Sequence, residues 1–541
     1  VTDGRKASEK TDRLFRASEI LPLNGAERRP VGVFVRDGMV RELVYEERRA
    51  DTLAASNRVE VVDRRDACLV PGFTDGHIHM KWFGDSLREP DLSDLDRYEN
   101  APERVLREAP ADADRDTEWI HGRGWSRERV HEDRGPHWRD LEHPQLDDVP
   151  VALAARDHHS YWVNRTALRK LGIDEHTASP DGGTIVTDDE GQPTGLLREK
   201  AADPLHDELR RDRRNRSTTD LLRDAVDRMF HNGITSVHDI GRIEHLDGYR
   251  TLLDRDVPLP RVVFFLLRED FDRFLDRGHN PGVLRAGLTC AGLKLYADGT
   301  LSSRTAAMTE PYEDAEEPDR GTMLLEPEEM KQEARRAAAA GGSTAIHAIG
   351  DRAVQVSLDV LTDVYGNYRD VTCSPRIEHA QLVRKQDLRR WASADITASL
   401  QPCHLLDDRS AARRYWGDRA DRAFPIGTLH RSGVSVLFGS DAPIEPPDPL
   451  RNLQSAVHRG ASGASPWNAS EAVSIQEALL LHCVPSAGDV NRLEENGALR
   501  PGTAGDLVVL SDNPLEVRPD RLASINVLET YFRGERVYAS S

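Results

Sequence analysis

The stretch Leu69-Val70-Pro71-Gly72-Phe73-Thr74-Asp75-Gly76-His77-Ile78-His79-Met80 decides how the rest of the chain is read. An apolar run broken by Pro71-Gly72 leads into an extended segment carrying two histidines two residues apart. In an extended chain residues i and i+2 face the same side, so His77 and His79 point together into one space at a strand's C-terminal end. Two imidazoles on one side of a strand make half of a zinc site. Taken alone, the pair reads equally well as two ligands or as two surface or core histidines.

Four later residues stand in or at the ends of similar short runs. Lys294 lies inside GLKLYADG, His347 ends STAIH, His379 follows Arg376-Ile377-Glu378, and Asp441 ends VLFGSD. Further runs of this kind are GITSVHD (Gly233 to Asp239), RVVFFLL (Arg261 to Leu267) and DITASL (Asp395 to Leu400), with helical stretches between them. KQEARRAAAA, from Lys331 to Ala340, consists of good helix formers and stops at Gly341-Gly342. Strand then helix, repeated, predicts a parallel sheet with covering helices, and the expected closure is an α/β fold of the TIM type, a (β/α)8 barrel. Catalytic residues of such barrels gather from the C-terminal ends of different strands. These positions would then converge over one mouth.

A barrel needs only ~250 residues, and the span expected for it, 69–497, is far longer. The excess falls at about 81–220, rich in Arg, Asp, Pro and aromatics, and reads as an insertion after the first barrel strand that roofs the mouth. Both chain ends look like short strands: Val31 to Val35, Val40 to Val44 and Val59 to Val62 at one end, GDLVVL (Gly505 to Leu510) and Ile525 to Tyr538 at the other. They predict one small β domain assembled from 1–68 and 498–541, or else two separate β appendages.

Each candidate residue also has a plainer reading. His347 or His379 would serve as a satisfied core histidine, and Asp441, before Ala442-Pro443, as a helix N-cap. Lys294 is harder to dismiss. Lysine stands only at positions 6, 10, 81, 170, 200, 294, 331 and 385, and one amid hydrophobic strand residues suffers desolvation that lowers its pKa. A neutral amine there can add carbon dioxide, giving a carbamate whose anionic oxygens bridge two cations.

Composition bounds the function. The 541 residues include 93 acidic and 73 basic side chains, for a formal net charge of -20. A nucleic-acid partner is not expected, because phosphate neutralisation needs a basic face. No apolar run approaches the ~20 residues of a membrane span, and the polar residues 1–10 lead to the expectation of no export signal. Cys68, Cys290, Cys373, Cys403 and Cys483 are scattered and lack CxxC spacing, which argues against a disulfide framework and for a reducing, cytoplasmic setting. Arginine richness beside abundant Asp and Glu suggests a halophilic, haloarchaeal cytoplasm in which an acidic surface aids solubility.

The ordered set His77-x-His79, Lys294, His347, His379 and Asp441 resembles the metal-dependent amidohydrolase superfamily. The phrases KLYADGTLSSRTAAM (Lys294 to Met308), AIHAIGDRAV (Ala345 to Val354), RIEHAQ (Arg376 to Gln381), FGSDAPIEPPDPL (Phe438 to Leu450) and LRPGTAGDLVVL (Leu499 to Leu510) look like its YtcJ-like branch, which includes N-substituted formamide deformylase. The resemblance covers nearly the whole chain. It implies a distorted (β/α)8 barrel, a small β-sandwich built from both ends, and a hydrolase. It also implies that His77, His79 and Asp441 bind one metal, that His347 and His379 bind a second, and that a carboxylated Lys294 bridges them.

Such nitrogen and hard oxygen ligands without a thiolate suit Zn²⁺, with Mn²⁺ or Fe²⁺ admitted by the same ligand logic. The implied reaction is hydrolysis of a non-peptide amide-type C–N bond by a metal-bound hydroxide, with Asp441 as general base and then acid and Lys294 as the second catalytic residue. A mononuclear deaminase or a lyase on the same barrel is the rival enzyme. A non-catalytic scaffold is disfavoured because all six ligand positions remain.

Candidate substrate contacts are His404, as an orienting group or oxyanion donor, Arg304, as a partner for a substrate carboxylate, His159 and Trp125. For His404 the alternative is a surface histidine, for Arg304 a structural salt bridge, and for Trp125 packing within the insertion. DHHSYWVN (Asp157 to Asn164) resembles a D-G-H-x-x-W-V-N phrase of the branch with His158 in place of glycine, which puts the local turn in doubt. The expected partner is a small-molecule substrate, with no nucleic acid and no membrane. The assembly is left open, a homodimer being the commonest symmetric choice.

Overall fold

The computed structural model describes residues 12–108, 119–127, 130–155, 160–214, 216–314, 318–368, 370–484 and 497–540. Its chain contacts divide it into two compact units, Val1–Met80 with Ala225–Ser541, and Lys81–Asp224.

Eight parallel strands form the centre of the first unit: β1 (Phe73–Ile78), β2 (Ile234–Gly241), β3 (Arg261–Leu267), β4 (Leu288–Tyr296), β5 (Ser343–Ala348), β6 (Arg376–His379), β7 (Thr397–Leu400) and β8 (Val436–Phe438). They pair in that order. Strands buried on both faces read as continuous apolar runs, and RVVFFLL in β3 is buried along nearly its whole length. The ring closes where the Asp441 amide donates to the His77 carbonyl at 2.7 Å and the His79 amide to that of Ala442 at 3.0 Å.

Two glycines allow that seam. A Cβ on Gly76 would sit 2.5 Å from Leu437 Cγ, and one on Gly439 would sit 2.4 Å from the His77 nitrogen. The register then fixes which side chains meet at the mouth, with Tyr296 opposite His347 across β4 and β5. Across β5 and β6, His347 faces Glu378.

The chain ends join in one seven-stranded sheet, ordered Glu535–Ala539, Val527–Phe532, Leu507–Leu510, Val59–Pro71, Asp12–Ile20, Gly32–Arg36 and Met39–Val44. Val59–Pro71 is its hub, parallel to Asp12–Ile20 and antiparallel to Leu507–Leu510. Phe15, Val33, Leu69, Val509 and Tyr531 form its core, with the Phe15 and Tyr531 rings edge to face at 4.8 Å. Because Pro71 still pairs with Leu507, the barrel begins at Phe73 rather than at Leu69.

The second unit has a five-stranded sheet of its own, Ile120–Trp125, Val151–Ala155, Ser160–Val163, Pro193–Glu199 and Gly183–Thr187 in spatial order. Tyr98, Trp125 and Trp162 pack edge to face in its core, with ring centres 5.4 to 6.4 Å apart.

Helix Ile475–Cys483, opened by a Ser474/Glu477 capping box, braces the barrel from outside. Its buried His482 places Nδ1 2.8 Å from the Thr74 carbonyl, between the rings of Phe73 and Phe438. Burial pushes the His482 pKa down to about 4. A histidine depressed on folding adds stability above its unfolded value of ~6.5 and loses it as pH falls through the folded one, worth about 3 kcal/mol over such a shift. Thermal melts of metal-free protein should therefore fall more steeply between pH 6.5 and 4 for the parent than for His482→Asn, which keeps an N–H toward Thr74. Equal falls would remove His482 as a source of acid lability.

Candidate metal centre

Alternation along β1 sends Asp75 and His77 to one side. The Asp75 carboxylate accepts from Ser440 Oγ at 2.6 Å, from the Ser440 amide at 3.0 Å and from the His77 amide at 3.2 Å, tying β1 to the segment after β8. That tie brings Asp441 over the two histidines. His77 Nε2 and His79 Nε2 each lie 3.3 Å from Asp441 Oδ1.

His379 comes from β6 by a different route. Arg376 and Glu378 share the face that looks into the barrel, so strict alternation would turn His379 outward. Left-handed backbone at His379 (φ 73) and Ala380 (φ 42) brings it back, a conformation that side-chain-bearing residues seldom adopt and that clusters at functional sites. Its ring centre then lies 5.0 Å from that of His77 and 4.5 Å from that of His347. Ligand atoms of His77, His379 and Asp441 all fall within 4.8 Å of one another. Asp441 has the same left-handed backbone, φ 61.

The hydrogen bonds behind the rings assign their protons. His77 Nδ1 is 2.6 Å from Glu378 Oε2, His79 Nδ1 is 3.2 Å from the Ile240 carbonyl, and His379 Nδ1 is 2.8 Å from Gln401 Oε1. Each acceptor demands an N–H, so in the neutral form of each ring Nε2 carries the lone pair. His347 is reversed, with Nε2 donating to the Gly299 carbonyl at 3.1 Å, which leaves Nδ1 as its electron-pair donor. Two ring lone pairs facing one carboxylate oxygen repel unless a cation lies among them. The donor set fits a divalent metal.

Electrostatics point the same way. Burial raises the cost of charge on Asp441, but the histidines around it, His77 foremost, outweigh that cost and hold its pKa well below the usual range. Burial likewise opposes a charged His77, yet Glu378 and Asp441 outweigh it and raise its pKa. Desolvation carries His347 down to about 4 and His379 well below its ordinary value. Both rings stay neutral, the form that binds metals.

Lys294 is 1% exposed, and its Nζ has no hydrogen-bond partner among the described residues. It lies 5.2 Å from the centre of the Tyr296 ring. Burial draws its pKa down to about 8, against the pull of Glu378 and Asp441.

The remaining expectations divide. His404 opens the helix His404–Trp416 after β7, is buried, stacks on His379 with ring centres 6.0 Å apart, and sets Nε2 3.8 Å from Asp441 Oδ2. It joins the cluster. Arg304 does not, since it is exposed, ion-paired with Asp314 at 3.5 Å and placed over the Tyr415 ring, which is the structural salt bridge. Trp125 is 3% exposed in the core of the insertion, with Nε1 donating to the Leu153 carbonyl at 2.8 Å; it packs there. His159 lies outside the described residues. Asp441 caps no helix, for that role falls to Asp448, which accepts from the Leu450 and Arg451 amides ahead of Pro449.

Several residues of the cluster escaped the sequence reading. Glu378, Gln401 and Asp75 anchor rings or strands, and Asp298 accepts from the amides of Ala307, Ile349 and Gly350. Asp75 and Glu378 sit two and one residues from a recognised histidine, and that proximity was the available signal.

A parallel barrel whose strand ends gather histidines around a buried carboxylate is the architecture of the metal-dependent barrel hydrolases. The chain belongs to the amidohydrolase family, whose model matches residues 60–538, and it is a hydrolase. YtcJ of Bacillus subtilis (strain 168) is 30% identical over 535 residues, spanning 95% of this chain and 97% of that protein. N-substituted formamide deformylase of Arthrobacter pascens is 27% identical over 503 residues, 89% of this chain and 90% of its own length. The crystal structure of an uncharacterized metal-dependent hydrolase from Pyrococcus horikoshii OT3 superposes with a TM-score of 0.74 at 26% identity, covering 94% of this chain and 99% of that one.

Proposed function

We propose that the protein hydrolyses a non-peptide amide-type C–N bond in a small molecule, using divalent cations held by His77, His79 and Asp441 on one side and by His347 and His379 on the other, with a carboxylated Lys294 between them. One observation carries the reading: the Nε2 lone pairs of His77 and His79 both face Asp441 Oδ1 at 3.3 Å while their Nδ1 atoms are committed elsewhere. Nitrogen and carboxylate donors without thiolate favour zinc.

A bound divalent cation supplies a water of lowered pKa and polarises the scissile carbonyl. Asp441 would serve as the proton acceptor and then as the donor to the departing amine, so that the products would be a carboxylic acid and an amine. His404 Nε2, buried beside Asp441, donates to the oxygen on which negative charge develops. On Lys294 the neutral amine adds carbon dioxide, forming an N–C bond and releasing one proton, and the resulting carbamate is an anionic donor.

A panel of N-substituted formamides, cyclic amides and N-acyl amino acids tests the reaction class. N-substituted formamides come first because a relative of similar length is named for them. Turnover of at least one class that is lost on chelation and regained with zinc is expected. Turnover that survives chelation, or an inert panel with metal-loaded protein, would overturn the proposal. A single-metal deaminase retains one observation in its favour, the tight trio of His77, His379 and Asp441, and a count of one metal per active chain would decide for it.

A further inference from the structure

Beneath the candidate ligands lies a charged pair that the reaction does not use. Arg376 and Glu378 are both 0% exposed and ion-paired, two residues apart on the inner face of β6. Dehydrating two charges is expensive, and a pair of apolar side chains of similar size would often serve stability as well or better. What distinguishes this pair is where its atoms lead. Arg376 Nη1 donates to His238 Nδ1 on β2 at 2.7 Å, and the guanidinium lies 4.4 Å from the centre of the Phe265 ring on β3. Glu378 Oε2 takes the His77 Nδ1 proton at 2.6 Å on β1. One rail thus runs His238, Arg376, Glu378, His77 across the floor of the site.

We propose that Arg376, seated by His238 and Phe265, is a positioning residue that holds Glu378 on His77, and that the rail fixes the His77 ring as its Nδ1–H tautomer with Nε2 presented to the metal. Glu378 Oε2 is hydrogen-bonded by His77 Nδ1, and Oε1 is ion-paired with the Arg376 guanidinium. The inference rests on the reading of His77 as a ligand. Partners behind a metal-bound histidine set its orientation and basicity, and their loss typically weakens metal binding by about 10- to 100-fold.

The test uses full-length metal-free protein with 15N-labelled histidine. At a pH high enough to leave the His77 ring neutral, the parent should show it as a single Nδ1–H tautomer, and addition of zinc should shift its Nε2 signal. Arg376→Met combined with Glu378→Gln removes both charges together, so the barrel floor keeps its volume without an unpaired ion. That double variant should show mixed His77 tautomers and a zinc Kd about 10- to 100-fold weaker, and Arg376→Lys should restore part of both. A parent in the Nε2–H form, or a double variant with unchanged tautomer and zinc Kd within twofold, would overturn the positioning role, the first of these even if no variant folds. Failure of the ligand reading looks different: a single Nδ1–H tautomer whose signals ignore zinc.

Discussion

Asp441→Asn is expected to keep the fold and lose about three orders of magnitude or more in turnover, within the range attributed to a positioned acid–base group. The side chain keeps its shape, and the backbone bond from Asp441 N to His77 O that closes the barrel is untouched. The carboxylate, held well below its usual pKa by the histidines around it, His77 foremost, is replaced by an amide that accepts no proton at neutral pH. His77 and His79 then lose the anion between them, so metal affinity should weaken too. Melting temperature and metal content measured beside the rate separate these effects. Metal-loaded Asp441→Asn with more than a tenth of parental activity would defeat the proton-transfer role.

Lys294→Ala should have the next largest effect, reducing zinc from two per chain to one or fewer and turnover by about 100-fold, of the order seen when a preorganised charge is removed. The amine is buried and without a hydrogen bond among the described residues, so its removal orphans no neighbour and leaves a void that short carboxylic acids can enter. Partial rescue by acetate or propionate is the specific expectation, because each returns two oxygens to the position of the carbamate. The pH dependence has a definite sign. With a pKa drawn down to about 8, the reactive neutral amine is the minor form at pH 6.5 and the major one at pH 8.5. Protein depleted of carbon dioxide should regain activity faster at the higher pH when the dissolved carbon dioxide concentration is matched. Full zinc occupancy in the variant, or no rescue by any carboxylate, would count against a carbamate.

The barrel was legible because its strands are buried on both faces and so read as apolar runs, with the chemistry at their ends. Lys294 stood out by compositional rarity and His77-x-His79 by period-two spacing. Each observation needs only local sequence. His379 reaches the other histidines by a route its spacing did not show, since its left-handed φ of 73 undoes the alternation that would have turned it outward. Glu378 passed unnoticed because an Arg-x-Glu pattern normally marks an exposed ion pair, and only the closed ring buries both charges. Trp125 and Arg304 misled in the opposite direction. An aromatic or a cation near a site motif invites a binding role, while the partners that consume it, the Leu153 carbonyl and Asp314, are distant in sequence or carry no signal of their own.

The central claim is that His77, His79 and Asp441 hold a catalytic divalent cation, and anomalous diffraction from zinc-loaded crystals at the zinc edge tests it most directly. The account predicts a peak about 2.0 to 2.2 Å from Nε2 of His77, Nε2 of His79 and a carboxylate oxygen of Asp441, with a second peak beside His347 and His379. Protein that is active with zinc yet shows no peak among those three residues would contradict it.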